Sequence, residues 1–322
     1  MNLKAKIIGA AMGALGLCGL SSSAFAFPVT PSSEFPGLDL ATPLPEGVYF
    51  LDVASLGGFE NNPAGASAFN YNVPYIIWST PWSFSGIHLT LLGTVPEAEV
   101  GAYHLGASSY VYGLYTPFVG GALGYNFGNG FAVSYIAGAY LPMTGTAGFD
   151  PAFDITSFHQ VLAVAYHNAG WNFTGNVQYD VVSNTYGAAS AGLCLPGQFS
   201  CQYLLGDYFV YNFGITRTLG KWEVGLVGYG SFDTTNTAVN SSLRATNPAA
   251  CALHNNQVGC GKQSQFALGG LVGYSFGPVM IQLVVGSDVY IDHYDSYDTR
   301  GVLRVIVPLW SPPAPQIVAA KY

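Results

Sequence analysis

The sequence predicts an all-β fold, a transmembrane antiparallel up-and-down β-barrel of about 12 strands that follows a cleaved signal peptide. Three observations lead to this prediction. Charged residues make up 8% of the chain although half of it is apolar, whereas about 25% of the residues in a typical soluble domain are charged. The apolar residues recur with a period of two. Tight turns alternate with long segments between the runs that show this period.

The fifty residues between Glu99 and Asp150 carry no charge. A membrane-spanning helix needs roughly 20 continuous apolar residues, but glycines interrupt this stretch repeatedly and would destabilise a helix. Between 131 and 141, large apolar residues alternate with smaller ones. We therefore predict two uncharged strands joined by a turn at 128–130.

The alternation is clearest between Trp171 and Val181. Odd positions hold mainly aromatic and β-branched residues, and even positions hold Asn, Thr, Gln and Asp. Such a strand can face lipid on one side and water on the other, as in transmembrane barrels. A half-buried strand of a soluble sandwich would also alternate, but it would not explain the missing charges or the aromatic strand ends.

Turns and long segments predict how the strands are connected. Short turns are expected at 128–130, 168–170, 220–221 and 277–278, and long segments at 142–157, 183–206, 233–263 and 291–298. Outer-membrane barrels have short periplasmic turns and long extracellular loops. An even number of strands places both termini in the periplasm. The predicted strands are 47–56, 72–80, 86–95, 117–128, 130–141, 158–168, 171–182, 207–219, 221–232, 264–276, 278–290 and 299–310.

The N-terminus has the features of an export signal. Lys4 and Lys6 precede an apolar run, and the Ala-Phe-Ala at 24–26 is a small-residue cleavage site. Cys18 would suggest a lipoprotein, but Leu17 before it is too large for such a site. The predicted organisation is a signal peptide at 1–26, an N-terminal periplasmic segment at 27–46, the barrel at 47–310 and a C-terminal tail at 311–322.

Cleavage leaves seven basic against seventeen acidic residues. Because the net charge is negative and there is no basic stretch, we do not expect a nucleic-acid partner. Four cysteines remain, and in an exported chain two local disulfides are the simplest pairing, with other connectivities open. Zinc would need closer spacing. The expected pairs are Cys194 with Cys201 and Cys251 with Cys260, both in predicted extracellular loops.

The alternation also assigns the face of each polar side chain. In the last strand, Leu303 and Val305 share the outward face, so Arg300 and Arg304 point inward. A twelve-strand barrel is narrower than open porins of 16–18 strands, and its inward face is partly apolar, which suits a small, partly apolar solute. The lumen-lining candidates are Asp52, His88, His159, Asn172, Asn176, Gln178, Asp180, Glu223, Tyr229, Gln282, Asp288, Arg300 and Arg304.

Other chemistry has weaker support. The six histidines lack ligand spacing, and aspartates at 288, 292, 295 and 298 do not follow a calcium-loop pattern. A solvated loop explains these aspartates, and Asp288 is predicted to pair with Arg300 on the adjacent strand. No G-x-S-x-G motif is present. We therefore predict no metal, no cofactor and no enzymatic activity.

Four stretches carry a resemblance to a known family. They are YNFGNGFAVSY (125–135), GKWEVGLVGYGSFD (220–233), QFALGGLVGYSFGPV (265–279) and DVYIDHYDSYDTRGVLRVIVPLW (288–310). These stretches resemble the MetA-pathway phenol-degradation proteins, over roughly 47–310. The resemblance implies a barrel in the outer membrane of a Gram-negative bacterium, associated with aromatic-compound catabolism. It implies passive uptake of small hydrophobic solutes, aromatic (phenol-like) compounds among them, and no catalytic residues.

Outer-membrane lipid, lipopolysaccharide, the barrel-assembly machinery and the solute are the expected partners. The two cysteine pairs and the long 233–263 loop depart from the family. Either Trp310 or Tyr322 could serve as the C-terminal aromatic that the assembly machinery recognises. The alternative function is a structural or adhesive surface protein whose barrel anchors disulfide-bonded loops. A lumen blocked by side chains would favour that alternative, and a continuous, partly apolar path would favour uptake.

Overall fold

A computed structural model describes residues 31–59, 65–104, 107–142, 156–183, 207–234, 262–293 and 297–313. Strands account for most of these residues, and the described residues contain no helix long and apolar enough to cross a membrane. The strands are β1 (Gly47–Phe59), β2 (Gly65–Phe84), β3 (Ile87–Thr94), β4 (Glu97–His104), β5 (Ala107–Leu114), β6 (Phe118–Asn126), β7 (Phe131–Tyr140), β8 (Thr156–Asn168), β9 (Trp171–Ser183), β10 (Tyr208–Leu219), β11 (Trp222–Asp233), β12 (Ser264–Ser275), β13 (Met280–Asp292) and β14 (Asp298–Trp310).

The sheet closes on itself because β1 pairs with both β2 and β14. Twelve strands form the ring, since β4 and β5 prolong their neighbours instead of adding to the circumference. The C-terminal half of β2, from Tyr75 onward, pairs with β3, and its N-terminal half, up to Asn72, pairs with β4. Pro96 separates β3 from β4, and Pro117 separates β5 from β6; proline has no N–H for the ladder. The predicted 12-strand barrel is confirmed.

The predicted strand boundaries agree best in the second half of the chain. From β6 to β14 they differ from the observed ends by at most two residues. The second strand is longer than predicted, starting at Gly65 and not at 72, and the β4–β5 hairpin was not predicted. The turn at 128–130 has three successive residues with positive φ. A Cβ on Gly130 would lie 2.0 Å from the carbonyl oxygen of His167, so this turn requires glycine there.

Alternate residues face lipid and lumen. In β11, Leu226 is 73% exposed and its neighbour Val227 is 1% exposed; in β13, Val285 is 51% exposed and Val284 is fully buried. Because the exposed set is apolar, the outer wall of the barrel is suited to hydrocarbon.

The N-terminal segment requires a correction. Residues 31–44, predicted to be periplasmic, lie inside the barrel, and we call them the plug. Phe35 is 7% exposed and belongs to the same core cluster as the inward-facing Val53 and Val227, with Leu38 packed against that cluster. The plug fills part of the lumen, which the sequence predicts to be open to a small solute.

Several predictions concern residues outside the described ranges. The signal peptide (1–26), Cys194, Cys201, Cys251, Cys260 and Tyr322 all lie there. The cleavage site, the two disulfides and the end of the C-terminal tail therefore stay predictions.

The lipid-facing assignment predicts a cost for charge near the middle of β11. Leu226→Arg should lower the free energy of unfolding in lipid vesicles by ~2–4 kcal/mol, the range for a cationic side chain at the membrane midplane. Leu226→Ala controls for the lost side-chain volume. Equal destabilisation by the two variants in urea titrations would contradict the lipid-facing position.

Candidate functional site

The tip of the plug is held by two tyrosine hydroxyls. Tyr71 and Tyr75 lie four residues apart on the inward face of β2, 5% and 4% exposed. The Tyr71 hydroxyl lies 2.8 Å from Ser33 Oγ. The Tyr75 hydroxyl donates to Glu34 Oε1 at 2.5 Å. Both contacts come from one strand, so β2 presents a matched pair of phenol groups to adjacent plug residues.

The Glu34 carboxyl is buried without a partner cation among the described residues. Burial is the largest influence on this group and raises the pKa of Glu34 from 4.5 to about 7. The Tyr75 hydrogen bond and the charges of His159 and Arg304 oppose that rise, and the charge of Asp180 adds to it. The carboxyl is therefore close to its protonation midpoint at neutral pH.

The Arg304 side chain holds the plug by binding main-chain carbonyl groups of plug residues. Its Nε donates to the carbonyl oxygen of Glu34 at 3.2 Å, and its Nη2 donates to that of Pro36 at 2.8 Å. The side chain is completely buried. Two carbonyl acceptors on one guanidinium fix the position of the plug and satisfy a charge that would otherwise be costly to bury.

A belt of hydrogen bonds continues from Arg304 around the barrel wall. Arg304 donates to Gln282 at 3.3 Å, and Gln282 donates to Glu223 at 2.8 Å. Glu223 also accepts from Thr216 at 2.5 Å and from Asn172 at 3.4 Å. Strands β9, β10, β11, β13 and β14 are joined in this way across the lumen wall.

The belt returns to the plug at its far end. Asn172 Oδ1 lies 2.9 Å from His167 Nδ1, and His167 Nε2 lies 2.8 Å from Asp39 Oδ2. Asp39 Oδ1 in turn accepts from the backbone N–H groups of Ala41 and Thr42. The plug is thus anchored at both ends of one continuous network.

Closer to the periplasmic rim, serine side chains bind the main chain of the plug. Ser134 donates to the carbonyl oxygen of Leu40 at 2.6 Å, and Ser79 donates to that of Leu44 at 2.7 Å. His88 Nε2 lies 2.9 Å from the same Ser79 hydroxyl. These contacts depend on the path of the plug backbone and not on its side chains.

Arg300 forms a second cluster near the extracellular rim. It donates to Asp298 at 2.7 Å, to Ser55 at 3.2 Å and to the carbonyl oxygen of Phe69 at 2.8 Å. The predicted pair with Asp288 is wrong. Arg300 pairs with Gly286 across the strands, so Asp288 lies beyond it and accepts from the backbone N–H of Asp298 at 2.8 Å.

A buried pair formed by His159 of β8 and Asp180 of β9 lies on the inward face. His159 Nδ1 is 3.0 Å from Asp180, and Ser157 donates to the same carboxylate at 3.1 Å. The rings of Phe118 and Tyr140 each lie 5.5 Å from the imidazole, edge to face. This cluster adds aromatic surface beside the tip of the plug.

The remaining candidates divide by face. Asn176 accepts from Gln178 at 3.0 Å and from Asn212 at 3.1 Å. Tyr229 is 2% exposed. Every candidate residue but one lies on the inward side of the barrel wall. Contact between these residues and a solute stays a prediction. Those on the inward side are His88, His159, Asn172, Asn176, Gln178, Asp180, Glu223, Tyr229, Gln282, Asp288, Arg300 and Arg304.

Asp52 is the exception, and its predicted lumenal position is wrong. It pairs with Val305 and Pro74, whereas the buried Val53 pairs with the inward-facing Arg304. The inward face of β1 is apolar because it packs in the core cluster with Phe35 of the plug. Polarity therefore assigned Asp52 to the wrong face of this strand.

Sequence reasoning missed Ser33, Glu34, Asp39, Tyr71 and Tyr75. The plug has no period of two or 3.6, and its prolines argue against a strand. For the tyrosines, a signal did exist: Phe69, Tyr71, Val73 and Tyr75 alternate with polar or proline residues, but the prediction began this strand only at 72.

A closed antiparallel barrel with an apolar outer wall and polar groups inside is a transmembrane β-barrel of the Gram-negative outer membrane. This chain belongs to the family described as "Putative MetA-pathway of phenol degradation", which matches residues 52–291. No curated protein matches its sequence.

Solved structures share the architecture. The chain is similar to the COG4313 outer membrane channel from Pseudomonas putida F1, with a TM-score of 0.60 and 8% identity over 84% of this chain and 97% of that chain. The β domain of the Bordetella autotransporter BrkA gives 0.44 at 15% identity over 81% and 99%. The CymD monoaromatic hydrocarbon channel gives 0.42 at 9% identity over 82% and 88%. At 8% identity the first likeness shows a common fold alone.

The buried carboxyl predicts that the plug is held less firmly at high pH. Its pKa is raised in the docked state, so docking is fully supported below pH 4.5 and loses up to ~3 kcal/mol as pH rises through about 7. Ion conductance in planar bilayers should therefore increase between pH 5 and pH 8. Glu34→Gln should remove most of this increase; an unchanged pH profile in that variant would contradict the assignment.

Close approach of plug and wall gives a second prediction. A Cβ on Gly214 would lie 2.4 Å from the Cα of Gly37, so Gly214→Ala should displace the plug and raise conductance. Gly175 on the adjacent strand is the matched control, because a Cβ there meets its nearest atom at 3.7 Å. Equal conductance of the two alanine variants would show that the plug does not obstruct the ion path.

Proposed function

We propose that the protein is an outer-membrane channel for passive uptake of small hydrophobic compounds, aromatic (phenol-like) compounds among them. The observation that supports this most directly is the composition of the lumen. Its core cluster is rich in aromatic rings, and hydroxyl groups project among them. The buried aromatic residues of the cluster are Phe35, Phe69, Tyr71, Tyr75, Phe118, Tyr140 and Tyr208.

The two arginines of the lumen are already engaged in hydrogen bonds. Arg300 is bound by Asp298, and Arg304 is bound by two main-chain carbonyl groups. A permeating anion would have to lose its hydration at arginines whose N–H groups already have acceptors, which is costly. A neutral solute with an aromatic ring can pack on the tyrosines and exchange hydrogen bonds with them.

Passage requires the plug to move. The plug enters from the periplasmic rim, where it continues into β1, and reaches Tyr71 in the extracellular half of the barrel. Hydrogen bonds and apolar contacts hold it there, and a hydrogen bond contributes only ~0.5–1.5 kcal/mol net between neutral groups and ~1.5–3 kcal/mol when one group is charged. We place the polar residues of the lumen in solute passage and plug anchoring and not in catalysis.

The surroundings of the barrel follow from the same proposal. Outer-membrane lipid and lipopolysaccharide would cover the apolar wall, and the barrel-assembly machinery would insert the chain. Trp310 ends β14 and is 50% exposed, which suits a C-terminal strand signal.

Uptake by intact cells tests the proposal. Cells that lack the gene should take up phenol and toluene several-fold more slowly than cells that carry it, because lipopolysaccharide slows direct diffusion. Uptake of xylose, a hydrophilic solute of similar size, is the control and should not change. Equal rates for the aromatic solutes with and without the gene would contradict uptake.

One observation favours the alternative, a structural or adhesive surface protein. The plug occupies the lumen and is anchored at both ends of a hydrogen-bond network. If the barrel only anchors extracellular loops, Gly214→Ala should leave aromatic uptake unchanged. If the barrel is a plugged channel, the same variant should take up aromatic solutes faster than the natural sequence.

A further inference from the structure

The plug is fastened at its tip by the chemical group that defines a phenol. Tyr71 and Tyr75 bind the side chains of consecutive plug residues, Ser33 and Glu34, through their ring hydroxyls. A phenolic solute carries the same hydroxyl on the same kind of ring. The solute and the barrel therefore offer equivalent donors to the plug.

The Glu34 carboxyl is the acceptor for which such competition matters most. Among the described residues, the Tyr75 hydroxyl is the donor that satisfies it. Arg304 lies nearby but directs its N–H groups to main-chain carbonyls and to Gln282. A buried carboxyl held by one neutral O–H can exchange that donor for another O–H without separating an ion pair.

Aromatic rings surround this hydrogen bond. The Phe35 ring lies 6.0 Å from the Tyr75 ring, and the Phe69 ring lies 6.1 Å from the Tyr71 ring. Tyr140 and Phe118 add a further pair with ring centroids 4.9 Å apart. These distances fall in the range of favourable aromatic contacts, so a solute ring would meet the surface that the tyrosine rings now contact.

We infer that a phenolic solute displaces Tyr75 from the Glu34 carboxyl and thereby releases the plug, so that the channel opens in response to its own solute. The inference rests on the proposed uptake function. The exchange replaces one O–H donor by another and needs no covalent step. A solute with a ring but no hydroxyl leaves Glu34 without a donor, and a non-aromatic alcohol lacks the ring contacts.

Planar-bilayer recordings of the full chain at constant pH test this coupling. Phenol should raise ion conductance at a half-maximal concentration about tenfold lower than toluene or cyclohexanol, the factor expected from one net hydrogen bond. Equal responses to the three probes would overturn the inference.

Three variants separate the roles of the residues. Tyr75→Phe keeps the ring and removes the hydroxyl that phenol displaces, so it should raise basal conductance and leave little further response to phenol. Tyr71→Phe is the matched control: it removes the Ser33 contact and should raise basal conductance but leave the half-maximal phenol concentration unchanged. Glu34→Ala should abolish the preference for phenol over toluene.

Two outcomes count against the inference: a phenol preference that persists in Glu34→Ala, or identical phenol responses in Tyr71→Phe and Tyr75→Phe. Heat-modifiable migration in a denaturing gel establishes that each variant is a folded barrel, and Glu34→Gln, which should weaken the preference, replaces any alanine variant that is not. Failure of the uptake function is a different result. Cells would then show no gene-dependent aromatic uptake, whatever the probes do in bilayers.

Discussion

Backbone pairing in lipid is the constraint on which this structure depends. Hydrocarbon offers no hydrogen bonds, so the sheet must close, and it does so where β1 meets β14 and β2. Closure with twelve strands leaves a narrow interior. A single segment is enough to occupy it, and the short plug before β1 does so. The narrowness of the ring thus explains why so few residues can obstruct it.

The barrel recognises the plug largely through its main chain. Arg304, Ser134 and Ser79 donate to backbone carbonyl oxygens, which every amino acid possesses. Side-chain recognition is concentrated at the tip, where Glu34 meets Tyr75, and at Asp39, where the hydrogen-bond belt returns. The main-chain contacts fix where the plug lies, and the side-chain contacts provide the chemistry by which its release can be controlled.

This division also explains what the sequence could and could not predict. The strands from β6 onward were predictable because lipid and lumen impose opposite demands on neighbouring residues. In the first strands, Pro74 and Pro81 interrupt the pattern; Pro74 pairs across from Asp52, and Pro81 lies where the register between β2 and β3 shifts. Polarity failed for Asp52 because the plug makes that part of the interior apolar. The plug itself was unpredictable, since main-chain acceptors leave no signature in a sequence.

The separation along the chain between plug and wall has a consequence for biogenesis. Glu34 and Arg304, which meet through a main-chain hydrogen bond, are 270 residues apart. Contacts between such distant residues form late, because the chain between them must first be ordered. The plug precedes the strands in the chain, but its docking site is complete only when the last strand, which carries Arg304, is in place. Docking of the plug is therefore completed together with closure of the ring, and the last strand serves both.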